Sequence, residues 1–214
     1  MDVLLNTPEI RVVGALIEKQ LTTPDYYPLT LNALIQACNQ VSNREPVVSF
    51  DEETVRGALD GLREKKVIRV VSGGDHRVLK YRHVFPEAFI VTPPELAILC
   101  VLLLRGPQTI GELRGRTERL YNFAGLAEVE TTLQGLMARE RRPLVTPLER
   151  RPGQKESRYA HSLGDDMANA EPPARPATPS DHERISRLEE EVEGLRQEVA
   201  ELRQQLVDFR KAFE

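Results

Sequence analysis

One module of this chain is used twice, and a repeat of that size restricts what the chain can fold into. Leu59-Asp60-Gly61-Leu62 recurs as Leu133-Gln134-Gly135-Leu136, and Lys80-Tyr81-Arg82-His83 recurs as Arg158-Tyr159-Ala160-His161. Upstream, a helix opening at Thr7-Pro8 is matched by Thr92-Pro93. The offsets are 85, 74 and 78 residues, so the first copy is the longer ahead of its glycine-bearing helix and the second the longer after it. Short periods mark solenoids; a spacing this large marks one small domain used twice. The 214 residues hold two such domains and a tail.

Each copy has the same order of elements. In the first, Pro8 at a first helical position and Ile10, Val13 and Ile17 on one face predict a helix to about Gln20. Leu31, Leu34, Ile35 and Cys38 mark a second helix, and Asp51 caps a third that buries Val55, Ala58, Leu59 and Leu62. Val67 to Val71, a turn at Ser72-Gly73-Gly74-Asp75, and Arg77 to Tyr81 read as a hairpin. In the second copy Thr92 and Glu95 form a capping box for a helix through Leu104. Ile110, Leu113 and Leu120 mark the next helix, and Leu126, Val129, Leu133 and Leu136 the third. Leu144 to Leu148 and Ser157 to Tyr159 then form the second hairpin. Three helices followed by a two-stranded wing is the winged-helix arrangement. The expected fold class is therefore mainly α with small β wings (α+β). It comprises winged-helix domains at 1–90 and 91–163, an extended Pro-rich linker at 164–180 and a coiled-coil helix at 181–214.

Charge is unevenly spread. Lys and Arg number 11 against 12 acids in 1–90, 11 against 8 in 91–163, and 7 against 13 in the tail. A nucleic-acid footprint should lean on the second domain. The chain has no Trp, which argues against base-stacking platforms for single strands. Cys38 and Cys100 lie in apolar helical stretches and are expected as buried free thiols of a reducing cytosol. No basic flank with an apolar run opens the chain, and the apolar run Leu96–Leu104 is too short to span a bilayer, so a cytoplasmic location is expected.

The residues resemble the bacterial YceH-like family, a family of uncharacterised proteins. The matching stretches include Glu18-Lys19-Gln20 with Thr22-Thr23-Pro24, Ala37-Cys38-Asn39-Gln40 and Ser42-Asn43-Arg44-Glu45-Pro46-Val47. Leu102-Leu103-Leu104-Arg105-Gly106-Pro107-Gln108-Thr109 and Pro152-Gly153 through Glu156-Ser157-Arg158-Tyr159 also match. The resemblance covers both copies. It implies two tandem winged-helix domains and carries no activity, substrate or role with it.

No catalytic constellation emerges. The four histidines and two cysteines lack metal-ligand spacing, no glycine loop cradles phosphate, and no signature links Ser, His and Asp. The expectation is a protein without catalytic residues, metal or cofactor. Two readings of its function stand. In the first it is a dimeric winged-helix DNA-binding regulator. Arg114, Arg116 and Arg119 on the second helix of the second copy, and Arg150, Arg151, Lys155 and Arg158 around its wing, would then contact phosphates. In the second it is a scaffold or adaptor whose winged helices bind protein. Asp51, Glu52 and Glu53, and Glu128 and Glu130, sit early on the third helices and oppose phosphate, although acids there also suit the helix dipole. The polar insertion Asn39 to Phe50 places Asn39, Asn43 and Arg44 where they could reach a partner or a phosphate, or where the amides simply cap the second helix and close a turn. Gly61 and Gly135 are expected to permit close helix packing, and His83 and His161 to be structural.

The tail carries Ile185, Leu188, Val192, Leu195, Val199, Leu202, Leu206 and Phe209 at alternating spacings of three and four. With Ile185 at position a, β-branched residues fill most a positions and Leu most d positions, which favours two parallel strands. The flanks agree: Arg184–Glu189, Glu191–Arg196 and Glu198–Arg203 face each other with opposite charge in a parallel pair. A homodimer through this segment is expected.

Overall fold

Thr7–Thr22 forms the first helix, α1, and it is central rather than peripheral. The computed structural model describes residues 4–71, 78–140, 142–149 and 156–164. Each residue of α1 from Arg11 to Glu18 is buried, whereas Ile10 is only half-buried. The predicted single apolar face (Ile10, Val13, Ile17) was thus too narrow, because α1 has neighbours on several sides. A strand β1 (Leu29–Thr30) and α2 (Leu31–Asn39) follow, then α3 (Glu52–Glu64). The predicted α3 residues Val55, Ala58, Leu59 and Leu62 are all buried, and Asp51 caps the helix by accepting the Thr54 N–H. Strands β2 (Ile68–Val71) and β3 (Lys80–His83) close the first half in a sheet of order β1-β3-β2, antiparallel throughout.

The second half repeats this after a short helix α4 (Phe85–Phe89). Helices α5 (Pro93–Arg105), α6 (Ile110–Thr117) and α7 (Leu126–Met137) precede β4 (Val145–Pro147) and β5 (Tyr159–His161). The chain is mainly helical with small antiparallel sheets, an α+β protein. The second strand of each hairpin sits later than predicted: β3 starts at Lys80, not Arg77, and β5 runs to His161. The shift has one cause, since His83 and His161 are buried strand ends whose Nδ1 atoms accept the N–H two residues on, from Phe85 and Leu163. Burial pushes both imidazoles down to about 4, with Arg82 adding to the effect at His83, so they are neutral near pH 7.

Strand β1 was not foreseen, and its counterpart in the second half is a single bridge between Gln108 and Tyr159. Both halves carry a Pro-x-Thr there, Pro28-Leu29-Thr30 and Pro107-Gln108-Thr109, in which the Thr caps the next helix. Leu126, predicted in the core, is 51% exposed because it is the first residue of α7 and lies short of the buried face. Within the compact unit Met1–Ala170 the halves share one continuous core. Every residue of α5 from Leu96 to Leu104 is buried, and α5 packs on α1. Gly14 makes that approach possible: a Cβ there would meet Leu104 Cδ2 at 2.9 Å and Leu103 Cβ at 3.2 Å. The Leu5 N–H donates to the Leu163 carbonyl at 2.8 Å, tying the start of the first half to the end of the second.

Both halves repeat a carboxylate–cation socket, and only the glycine of the first is required by it. Asn6 and Glu9 form the capping box of α1, and Glu9 Oε1 then lies 2.6 Å from Lys65 Nζ just past α3. Glu95 at the start of α5 likewise meets Arg139 at 2.9 Å just past α7. By this geometry Asn6 corresponds to Thr92, one residue away from the Thr7–Thr92 match read in the sequence. A Cβ on Gly61 would fall 2.2 Å from Glu9 Oε1, but one on Gly135 would stand 3.8 Å from Glu95 Oε1. Alanine improves a helix by ~1 kcal/mol over glycine. Gly135→Ala should therefore be neutral or stabilising, while Gly61→Ala should lose ~1–3 kcal/mol by displacing a buried, paired carboxylate. Urea unfolding of the two variants checks this, and equal effects would discount the socket.

Candidate nucleic-acid interface

The basic residues predicted to contact phosphate divide in the structure. Thr109 and Glu112 form the capping box of α6, and Glu112 then holds two arginines, Arg116 and Arg158, each at 3.4 Å. Arg158 also donates to the Pro107 carbonyl at 3.1 Å. Both cations are half-buried and share one carboxylate; Arg116 pairs with it within α6, and Arg158 links the start of β5 to the start of α6. Arg114 and Arg119 project outward from the same helix and the turn after it. Arg150, Arg151 and Lys155 lie outside the described residues, as does the whole heptad segment Ile185, Leu188, Val192, Leu195, Val199, Leu202, Leu206 and Phe209.

The acids on the third helices also divide. On α7, Glu128 turns back to accept the Ala124 N–H at 2.8 Å and the Tyr121 hydroxyl at 3.1 Å, and that bond pushes the Tyr121 phenol up. The outward side of α7 is left with Ala127, Glu130, Thr131 and Gln134. On α3, by contrast, Glu52, Glu53, Asp60 and Glu64 are all exposed. Arg56 pairs with Glu52 at 2.7 Å and Arg63 with Asp60 at 3.3 Å, surface pairs worth ~0.3–0.5 kcal/mol each.

Most of the insertion Asn39 to Phe50 is exposed, but several of its polar groups are bonded within the chain. Asn39 exchanges two hydrogen bonds of 2.8 Å with the Phe50 backbone, closing the loop. Asn43, at φ 60°, accepts from Arg105 at the end of α5. Arg44 has a fully buried side chain, 2.6 Å from Glu18 and donating to the Ala37 carbonyl at 2.8 Å. The Glu45 N–H donates to the Leu104 carbonyl at 2.9 Å, satisfying one of the orphan acceptors at the C-terminus of α5. Asn39 and Arg44 have hydrogen-bond partners inside the chain, as does the exposed Asn43, and the insertion links the first half to the second. Sequence reasoning missed the clasp because its acceptors are backbone carbonyls and a glutamate 26 residues upstream. It missed another feature too, the rung Arg69–Arg82, which sets two cations opposite each other on the β2–β3 ladder.

Cys38 and Cys100 are buried free thiols, and burial pushes Cys38 up to about 12. Among the described residues no group of His, Cys, Asp and Glu could hold a metal, and no helix is long and apolar enough to cross a membrane.

This arrangement belongs to a known class of sequence. The chain belongs to the family described as "Protein of unknown function, DUF480", whose profile matches residues 5–154. It is similar to the UPF0502 protein of Geobacter metallireducens, 56% identical over 221 residues and covering all of both chains. The UPF0502 protein of Pelobacter propionicus is 54% identical over 200 residues, 90% of each chain. That of Opitutus terrae is 54% identical over 191 residues, 88% of this chain and 82% of its own. The resemblance read from the motifs is thereby confirmed, and these are bacterial proteins without an assigned activity.

Breaking the clasp from inside tests its structural role. Arg44→Leu leaves Glu18 buried without its cation and should cost ~3–5 kcal/mol, whereas Arg44→Leu with Glu18→Leu should recover much of that loss. Denaturant unfolding of the single and double variants measures both; a single variant as stable as the wild type would return Arg44 to the list of exposed binding groups.

Proposed function

We propose that the chain is a tandem winged-helix protein that binds double-stranded DNA as a homodimer, a cytoplasmic regulator rather than an enzyme. One observation carries the reading. Arg114 and Arg119 stand free on and just after α6, which packs against an α7 whose Glu128 is folded back into a cap. A third helix with a small, nearly uncharged outward side fits a major groove better than one lined with carboxylates. Cations beside it supply the phosphate contacts that position such a helix. The charge balance of the second half, 11 basic residues against 8 acids over 91–163, supports the same surface. Arg150, Arg151 and Lys155 add to it from the sequence around the wing turn.

Binding of a labelled random-sequence duplex, followed by anisotropy across a salt series, tests the reading. With four to six phosphates engaged the log–log slope should be roughly −4 to −5. Arg114→Ala with Arg119→Ala should weaken binding to every sequence and flatten the slope by about 2, with the melting temperature unchanged. No binding at low salt overturns the proposal.

Dimerisation is assigned to the C-terminal heptads. What supports it is the a/d pattern from Ile185 to Phe209 together with opposite charges at all three facing g–e positions of a parallel pair. The segment has fewer than four heptads, so assembly should depend on concentration. Sedimentation should show a monomer–dimer equilibrium in the full chain and a monomer once residues 181–214 are deleted. A dimer that survives the deletion would place the contact elsewhere.

A further inference from the structure

Ala127, Glu130, Thr131 and Gln134 are all exposed and lie at helical spacing, so they form one stripe on the outward side of α7. The repeated Leu-x-Gly-Leu aligns them with Glu53, Arg56, Gly57 and Asp60 of α3. Beneath the two stripes Val55, Leu59 and Leu62 recur as Val129, Leu133 and Leu136, all buried, so packing keeps the inner sides alike while the outer sides have diverged. The α3 stripe is charged at Glu53, Arg56 and Asp60, and its arginine is paired with Glu52. The α7 stripe has one ionised group, Glu130, and one amide, Gln134, and α7 contains no Lys or Arg along its whole length. Its hydrogen-bonding capacity is correspondingly narrow. Thr131 donates its hydroxyl proton to the Ala127 carbonyl at 2.9 Å, which leaves it a methyl and lone pairs to present. Ala127 presents a methyl, and the Glu130 carboxylate can only accept. Gln134 alone in the stripe still has both a donor and an acceptor to offer.

We propose that this stripe selects a duplex site in which Gln134 reads an adenine and Glu130 a cytosine. The inference rests on the DNA reading of α7 and supplies its sequence preference. Each base shows a different edge in the major groove. Guanine shows two acceptors, N7 and O6, whose common reader is a bidentate Arg or Lys, and α7 has neither. A guanine beside Gln134 would need both amide protons and leave the amide oxygen with no donor. Adenine shows an acceptor, N7, next to a donor, N6–H, and one glutamine amide matches the two together. Glu130 has to find a donor, which cytosine N4–H supplies and guanine O6 or thymine O4 does not. The methyls of Ala127 and Thr131 suit the thymine methyl of neighbouring A·T pairs. Gln134 follows Glu130 by about one turn, ~6 Å along the axis, so the two bases should lie within about two steps of ~3.4 Å. The α3 stripe cannot read in this way, since Glu53 and Asp60 only accept and Arg56 is held by Glu52.

The test uses the full chain and a library of random duplexes of roughly 20 base pairs, about two turns of DNA, from which bound sequences are selected and read. Enriched sites should carry an adenine and a cytosine no more than about two steps apart, each preferred at least about fivefold over the other bases. Gln134→Ala should lose the adenine preference and keep the cytosine, and Glu130→Ala should do the reverse. Gln134→Arg should exchange the adenine for guanine. Neither alanine variant should weaken binding of the unselected library or lower the melting temperature, since both side chains are exposed. A library that is bound without enrichment overturns this proposal and leaves DNA binding standing. Enriched sites that Gln134→Ala and Glu130→Ala leave unaltered also overturn it, and a preference that moves with Asp60→Ala instead assigns the reading to α3. No binding of the library at low salt overturns both this proposal and the DNA reading beneath it.

Discussion

Two helices, α1 and α5, are buried along most of their length and are covered in part by packing on each other. A helix of that kind is unstable at a surface, since each fully buried Leu, Ile or Val contributes ~1.5–3 kcal/mol that exposure would forfeit. Gly14 sets how closely they approach, because its missing side chain is the space that Leu103 and Leu104 fill. The remaining links between the halves depend on that contact. The Glu45 N–H reaches Leu104, and the Asn43 side chain reaches Arg105, only because the end of α5 is held against the first half. The Leu5–Leu163 backbone bond closes the opposite connection, from chain start to second hairpin. Neither copy is a separate bead on a string; each supplies one wall of the other's core.

The repeated residues turn out to be structural. Glu9 with Lys65 and Glu95 with Arg139 bind the start of one helix to the end of another. Gly61 and Gly135 sit beneath those carboxylates, and His83 and His161 receive the backbone N–H that turns the chain out of the sheet. A carboxylate that closes a capping box and also meets a cation satisfies two needs at once, which leaves few alternatives at its position. Function has to be sought where the copies differ. They differ in the insertion Asn39 to Phe50, in the outward charge of α3 and α7, and in the lip of each hairpin.

Legibility followed the same division. The third helices were readable from Val55, Ala58, Leu59 and Leu62 and from Val129, Leu133 and Leu136, because one-sided burial produces helical spacing. Helix α1 was readable as a helix but not as a central one, since burial on all sides erases the spacing that would reveal it. The strand ends were misplaced because their boundary is set by where a histidine is buried, not by alternation. The Pro-x-Thr ahead of α2 and α6 was visible twice in the sequence, yet a two-residue strand has too little pattern to announce itself. Arg44 looked like an exposed binding residue because no local feature signals Glu18, whose carboxylate comes from another helix. Charge counts pointed to the second half, but only coordinates separate Arg116 and Arg158, spent on Glu112, from Arg114 and Arg119.

The differences between the copies argue for a division of labour. An ancestral pair of identical modules would present two equal surfaces, and any anion attracted to one would be attracted to the other. Here α3 keeps four exposed acids on its outward side, while α7 has one of its two early glutamates withdrawn into a cap. The first hairpin runs past its helix and exposes Val71, Val78 and Leu79 beside opposed arginines. Exposed Arg114 and Arg119 beside a helix whose outward side keeps one glutamate, Glu130, suit a phosphate backbone better than α3 does. Because α1 and α5 pack the halves into one core, the outward surfaces of α3 and α7 are held in a fixed relation.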